Sequence, residues 1–182
     1  MKNVLSICLM ASIILFTACS QHKTEAHEDE QAQNSTEMNA EQLKATVQQF
    51  YDALSTAPNE NTATEIGEWM ATDWNSTPTP AGGKGLEGFV KTLYMFHGMI
   101  PDLNWDVKEM LVDGNRVTVR SIATGTPNSP EGYFFGVPTD GTKSFEVQTI
   151  DVHTVENGKM TIGFHVEDWQ AAIQQVSAKV EK

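Results

Sequence analysis

An α+β domain is what the sequence predicts, and three observations carry that expectation. Apolar residues recur at helical spacing from Leu43 to Phe96. After "IPDL" the period changes to the two-residue alternation of strands. The alternating segments then fold back at "DGN" and "ENGK", turn sequences that make antiparallel hairpins. Helices come first and a meander follows, with no internal repeat.

At 182 residues the chain is long enough for one domain with a sizeable core. Hydrophobic residues make up 40% and charged residues 20%, as in ordinary globular proteins. The formal charge is −12, and Arg116 and Arg120 are its two arginines. Phosphate backbones demand clustered Lys and Arg, so nucleic acid is excluded as a partner. Electrostatic attraction to an anionic membrane surface is excluded for the same reason.

The first residues, "MKNVLSICLMASIILFTAC", have the pattern of an export signal. Lys2 supplies the positive end, and Val4 to Phe16 form an apolar run too short for a comfortable bilayer span. Thr17 and Ala18 lead into Cys19. This resembles the bacterial lipoprotein signal, which implies cleavage after residue 18 and lipid attachment at Cys19. Ser20, rather than Asp, follows the cysteine, which by the same resemblance points to the outer membrane, facing the periplasm. With Cys8 removed and Cys19 modified, no thiol is left for a disulfide, a metal or a nucleophile. Residues 19–40 are rich in Gln, Glu and Ser and are expected to be a lipidated, disordered tether. His22 and His27 within it are read as solvated. The folded domain is expected over residues 41–182.

Within that domain Leu43, Val47, Phe50, Tyr51 and Leu54 define an amphipathic helix ending before Pro58. Ile66, Trp69 and Met70 mark a shorter second helix. "NSTPTPAGG" is expected to be irregular because turn formers and two prolines interrupt it. A third helix spans about residues 86–96, with Phe89, Val90 and Leu93 on one face. "NWDVKEMLVDGNRVTVRSIATGT" gives two strands around Gly114. "PNSPEGYFFGVPTDG" is a loop. "KSFEVQTIDVHTV" and "KMTIGFHVED" form the second hairpin, and "WQAAIQQVSAKV" closes the chain as a helix.

Several motifs fail their physical tests. "GKGLEG", at residues 83–88, matches the dinucleotide fingerprint in letters, but that motif needs a preceding strand. The prolines of "TPTPAG" forbid a central strand there, so the glycines mark a helix entry. Asp151 and His153 on one strand, with His165 and Glu167 on the next, offer two His/carboxylate pairs. No helical His pair or Cys set supports a metal, and none is expected. No cofactor is expected either. Serine-triad chemistry lacks a nucleophile elbow.

"IPDLNWDVKEMLVDGNRVTVRSIATGT", "GYFFGVPTDGTK" and "IDVHTVENGKM" together resemble the SnoaL-like polyketide cyclase, or ester cyclase, family of the nuclear transport factor 2-like superfamily. The resemblance runs over residues 41–176 in matching order. It implies a conical fold in which a curved antiparallel sheet wraps against the N-terminal helices, with a C-terminal helix, leaving a pocket open at one end. It also implies cofactor-independent acid/base chemistry on a small, largely apolar carbonyl or ester compound, of cyclase, isomerase or hydrolase type. Counting from Gly158 and Lys159, His165 falls where that family has its catalytic Asp, and Gly163 where it has a His. A second polar position of the family falls on Asp151. The "EHW" signature itself is absent.

Asp151 and His165 are therefore the candidate proton-transfer pair, with the carboxylate orienting the imidazole. They share a face only if Glu156, Asn157 and Gly158 form a three-residue turn, pairing Asp151 with Gly163 and Thr149 with His165. That register separates polar from apolar residues and is the expected one. Val152, Ile150, Ile162 and Phe164 then form the opposite face. The polar face is either a pocket wall or the solvated side of a half-buried sheet. Arg120 is a candidate for binding an anionic or carbonyl oxygen, as a lone strand arginine needs a partner. His153, Trp105, Phe89 and Tyr51 are candidate substrate-binding residues. A non-catalytic ligand-binding lipoprotein of the envelope and a dimeric interaction module, paired through the outer sheet face, are the alternatives.

Overall fold

The computed structural model describes residues 38–128 and 132–177, which lie in one compact unit spanning Ser35–Lys182. The signal, Cys19 and the tether as far as residue 37 lie outside the described residues. Three N-terminal helices, α1 (Ala40–Leu54), α2 (Thr62–Trp69) and α3 (Gly85–Met99), pack on a five-stranded sheet. Its strands are β1 (Met70–Thr77), β2 (Asn104–Asp113), β3 (Arg116–Gly125), β6 (Phe145–Glu156) and β7 (Lys159–Glu167), in the order β1-β7-β6-β3-β2. A short hairpin, β4 (Tyr133–Phe134) and β5 (Val137–Pro138), and the helix α4 (Trp169–Val176) complete the described fold. No helix among the described residues is long and apolar enough to cross a membrane.

The α+β architecture is as expected, with corrections at three places. Helix α1 begins at Ala40, because Asn39 and Gln42 form a reciprocal capping box that satisfies free N–H groups at its start. Met38 also packs against the core, so the last residues assigned to the tether belong to the domain. Strand β1 is the second difference. It runs through Asn75, Ser76 and Thr77 before the prolines begin, and it pairs parallel with β7. The sheet is thus mixed rather than purely antiparallel. The expected loop after β3, thirdly, contains the β4–β5 hairpin.

The β6–β7 turn corrects the predicted register. Asn157 and Gly158 alone form the turn, with φ of 51° and 79°, the geometry of a two-residue hairpin loop. A bulge at Thr161, between the Val155–Met160 and Thr154–Ile162 pairs, then restores the face that a two-residue loop would have reversed. Asp151 consequently sits opposite His165, and His153 opposite Gly163. The predicted Asp151–Gly163 and Thr149–His165 pairs are each off by two residues, which leaves their facing unchanged.

The sheet buries its polar face. Thr149, Asp151 and His153 of β6 point inward against α1, while Ile150, Phe164 and Val166 point outward and are exposed. The reading of that face as solvated is therefore overturned. Val47, Phe50, Tyr51, Leu54, Phe89 and Leu93 of the helices meet Val117, Val119, Val155 and Met160 of the sheet in one core. Phe50 stacks on Phe89 at 4.9 Å between ring centres, a contact worth about 0.5–1.5 kcal/mol beyond its area.

Candidate active site

Each wall of the cavity above the inner sheet face has its own structural cause. Phe50 and Leu54 come from α1, Phe89, Thr92 and Phe96 from α3, and Trp105 from β2. Glycine contacts hold the loop of residues 78–84 against α3. A Cβ on Gly82 would lie 2.6 Å from the Lys91 Cβ, and one on Gly88 would run into the Gly83 carbonyl. Thr92 fastens the same contact, its hydroxyl accepting from the Gly82 N–H at 2.8 Å and donating to the Gly88 carbonyl at 2.9 Å. The "GKGLEG" glycines thus seat a loop, and Pro78 to Ala81 form part of the cavity rim. Opposite, Phe135 adopts a left-handed conformation (φ 45°) next to Gly136, as a two-residue hairpin turn requires. It meets Trp169 at 5.3 Å between ring centres. The cavity has a volume of about 220 Å³, and its lining is mainly aromatic and aliphatic.

Asp151, His165 and Glu167 are the acidic and basic side chains in that lining. Asp151 is 2% exposed. Its Oδ2 accepts from the Tyr51 hydroxyl at 2.8 Å and from the Thr149 hydroxyl at 3.3 Å. Thr149 in turn is held by Ser121, at 2.6 Å, and by the Trp105 indole N–H, at 3.3 Å. Both bonds to Asp151 reach the same oxygen, leaving Oδ1 as the atom that can meet a ligand. Burial pushes the carboxyl up to a pKa of about 7, with the Glu167 charge acting in the same direction. Tyr51, His165 and Thr149 oppose the rise.

His165 is held at both nitrogens. Nε2 donates to the Pro78 carbonyl at 2.9 Å, and Nδ1 lies 2.7 Å from the Glu167 carboxylate. Burial disfavours its charge, but Glu167, the Pro78 carbonyl and Asp151 outweigh that and raise its pKa above the ordinary value. A doubly donating imidazolium satisfies this geometry. His165 is then a fixed positive charge beside Asp151 rather than a freely exchanging base. Asp151, His165 and Glu167 each offer a ligand atom, all within 4.8 Å of one another. For a metal to bind, His165 would have to release the proton it gives Glu167.

The remaining candidates divide. Trp105 and Phe89 line the cavity. Tyr51 is fully buried and reaches the site through Asp151. His153 is 1% exposed and lies behind Tyr51, its Nε2 at 2.9 Å from the tyrosine oxygen, so it is no wall residue. Burial, followed by the His165 charge, pushes His153 down to a pKa of about 3, leaving it neutral. Burial and the Asp151 charge likewise raise Tyr51 well above its usual value. Arg120 is a plain correction. It points to the outer face and pairs with Glu109 at 3.4 Å, because the alternation of β3 turns Val119 and Ser121 inward. Glu167 was left out of the sequence-predicted site, although its two-residue spacing from His165 puts both on one face. Trp169, Phe135 and the rim loop carried no local signal, since the fold brings them there.

A curved sheet closed by helices around an apolar cavity, with one buried acid at its base, defines a pocket protein of the nuclear transport factor 2-like class. The model of the SnoaL-like polyketide cyclase family matches residues 45–176, and the chain belongs to that family. Among solved structures it is similar to a candidate polyketide cyclase of Bacillus cereus ATCC 10987, with 24% identity and a TM-score of 0.59 over 74% of this chain and 79% of that one. A candidate SnoaL-like polyketide cyclase of Jannaschia sp. CCS1 superposes with a TM-score of 0.62 at 23% identity, covering 76% and 93% of the two chains. A SnoaL-like polyketide cyclase of Agrobacterium tumefaciens C58 does so at 0.57 with 21% identity, over 73% and 96%. At these identities the likeness is one of fold. No curated protein matches the chain.

Proposed function

We propose that this protein is a cofactor-independent acid/base enzyme acting on a small, largely apolar carbonyl or ester compound. The observation that carries the reading is Asp151, a carboxyl with one oxygen held from behind and the other turned to an apolar cavity. A pKa of about 7 lets one group both take and return a proton near neutral pH. In this reading Oδ1 removes a proton from the carbon beside the substrate carbonyl. The electron pair left behind moves to the carbonyl oxygen as an enolate. The same proton is then returned to carbon, to the ring-closing oxygen or to a leaving group. The fixed charge of His165 favours the enolate, because charges act strongly where water is excluded. Phe135, Trp169, Trp105 and Phe89 supply the apolar contact that orients the substrate.

The experiment is exchange of carbon-bound hydrogen. Incubated in D₂O with an apolar β-keto ester, the protein is expected to accelerate deuterium uptake at the carbon between the two carbonyls, followed by NMR. Asp151→Asn should reduce that acceleration by 100-fold or more, the usual range for a general base. Saturable binding without exchange in the unaltered protein would favour the second reading, a ligand-binding protein without catalysis. The anchor belongs to the same proposal. Lipidation at Cys19 would hold the domain at the outer membrane, facing the periplasm. Ile150, Phe164 and Val166 on the outer face support pairing with a second copy.

A further inference from the structure

Behind Asp151 lies a second buried polar group that this chemistry does not use. Val117, His153, Gly163 and Ser76 form one inward-facing row across β3, β6, β7 and β1. Trp74, two residues before Ser76, shares its face. Two side-chain atoms beside Gly163, Trp74 Nε1 and His153 Nδ1, are buried and have no partner among the described residues, and the same holds for the Oγ of Ser76, the residue paired with Gly163. Gly163 is what lets the first two approach one site. A Cβ there would lie 3.5 Å from Trp74 Nε1, 3.6 Å from His153 Nδ1 and only 3.1 Å from the edge of the Trp74 ring. Three orphaned polar atoms within the core would each carry an uncompensated desolvation cost, which a fold does not bear without cause.

Their donor and acceptor characters are complementary. The indole can only donate. Tyr51 has a single proton and spends it on Asp151, so its oxygen must accept from His153 Nε2–H. A neutral imidazole with its proton on Nε2 has a bare acceptor at Nδ1. One water molecule can accept from Trp74 and donate to His153, and Ser76 is a third partner, matching the usual three bonds of a buried water.

We propose that Trp74, His153 and Tyr51 form a buried hydrogen-bonded relay, joined by one water over Gly163, that holds Asp151 through Oδ2 and leaves Oδ1 to react. The three side chains are positioning residues, and the proposal rests on Asp151 being the acid/base. The relay fixes the direction of every proton in the chain. Trp74 gives to water, water to His153, His153 to Tyr51, and Tyr51 to Asp151. Groups facing Asp151 are His165 and Glu167 on β7, Tyr51 on α1 and Thr149 on its own strand β6; Ser121 on β3 and Trp105 on β2 act on it through Thr149.

The test reads the relay without a substrate. In ¹⁵N-labelled protein at about pH 8 to 9, where Asp151 is ionised, His153 should be neutral with its proton on Nε2. A proton on Nδ1 would force Tyr51 to donate to His153 and overturns the proposal. A crystal structure at a resolution that orders waters should show density bridging Trp74 and His153. A direct contact between the two, or no density, overturns the water link. Tyr51→Phe should move the ¹³C titration of Asp151 to higher pH by about one unit, since a carboxylate loses a charge-assisted hydrogen bond. Gly163→Ala, which crowds the niche, should move it the same way by less, and Gly163→Ser should restore it by supplying a hydroxyl. An Asp151 titration indifferent to all three variants sinks the relay. If Tyr51→Phe does not fold, the tautomer decides. A titration that responds, together with deuterium exchange that survives Asp151→Asn, would instead sink the acid/base reading and leave the relay standing.

Discussion

Asp151 pairs a chemical use with a thermodynamic cost. In the unfolded chain its carboxyl has a pKa of about 3.9, and burial in the fold pushes it up to about 7. A carboxyl whose folded value is raised lends stability below the unfolded value and loses it as the pH climbs through the folded one. The loss therefore accumulates between about pH 4 and pH 7 and is complete above that, on the order of 4 kcal/mol for a displacement of this size. His153 has the opposite sign. Burial pushes its folded value down to about 3, so it lends stability above the ordinary imidazole range and loses it as the pH falls towards that value. Between pH 4 and pH 6.5 the two trends oppose each other. Asp151→Asn is expected to unfold at a higher denaturant concentration than the unaltered chain at pH 8, with the gain shrinking to nothing near pH 4. Paired urea melts at several pH values check this, and a gain independent of pH would contradict a buried, raised carboxyl. The facing of Asp151 and His165 was readable from alternation, because strand parity survives an error of two. That His165 is tied at both nitrogens was not readable, since the Pro78 carbonyl arrives from 87 residues away.

Elements were legible wherever a periodic pattern stood clear of prolines and glycines. Helix α1 shows five apolar residues at helical spacing, and β3 alternates cleanly, so both emerged with nearly their observed limits. Strand β1 was missed. Its "MATDWNST" buries only Met70, Trp74 and Ser76, out of strict alternation, and depends for pairing on β7, which follows much later in the chain. Tertiary pairing, not local preference, makes it a strand. The bulge at Thr161 was hidden similarly, since it responds to twist. The glycines of the rim loop can be tested at this scale. Gly88→Ala should cost about 1–3 kcal/mol by forcing the loop off α3. It should also weaken ligand binding, as Pro78 carries the His165 bond. Gly98→Ala, with nothing within 4 Å of a new Cβ, should be neutral or stabilise by up to about 1 kcal/mol. Thermal melts of both variants suffice. An equal gain at both positions would mean that helix propensity, not loop contact, governs Gly88.

For the molecule as a whole, the sheet carries apolar side chains on both sides. Leu111, Thr118, Val152 and Phe164 form one outward row across four strands, with Ile150 and Val166 in the next, and Val166 is 71% exposed. If two copies meet there, light scattering should report a dimer for the folded domain. Phe164→Glu with Val166→Asp should return it to a monomer with the cavity chemistry intact. A monomer at the highest soluble concentration of the unaltered domain would refute the pairing. The anchor is tested in a Gram-negative host: the full chain should sediment with outer membranes, and Cys19→Ala should abolish that. Sedimentation unchanged by the substitution would remove the lipid from the account.

Strand β2 forms one margin of the sheet, bonded on one side to β3 alone. Its ladder shifts between Val107 and Glu109, and Asp106, Lys108, Glu109 and Asp113 are exposed along it. A straight, apolar margin of ten residues would invite a foreign strand to extend the sheet. Here the step at Lys108 breaks the spacing that an incoming backbone must match, and its ammonium would be forced out of water by one that docked. Copies at high concentration would therefore not grow into a ribbon through this margin.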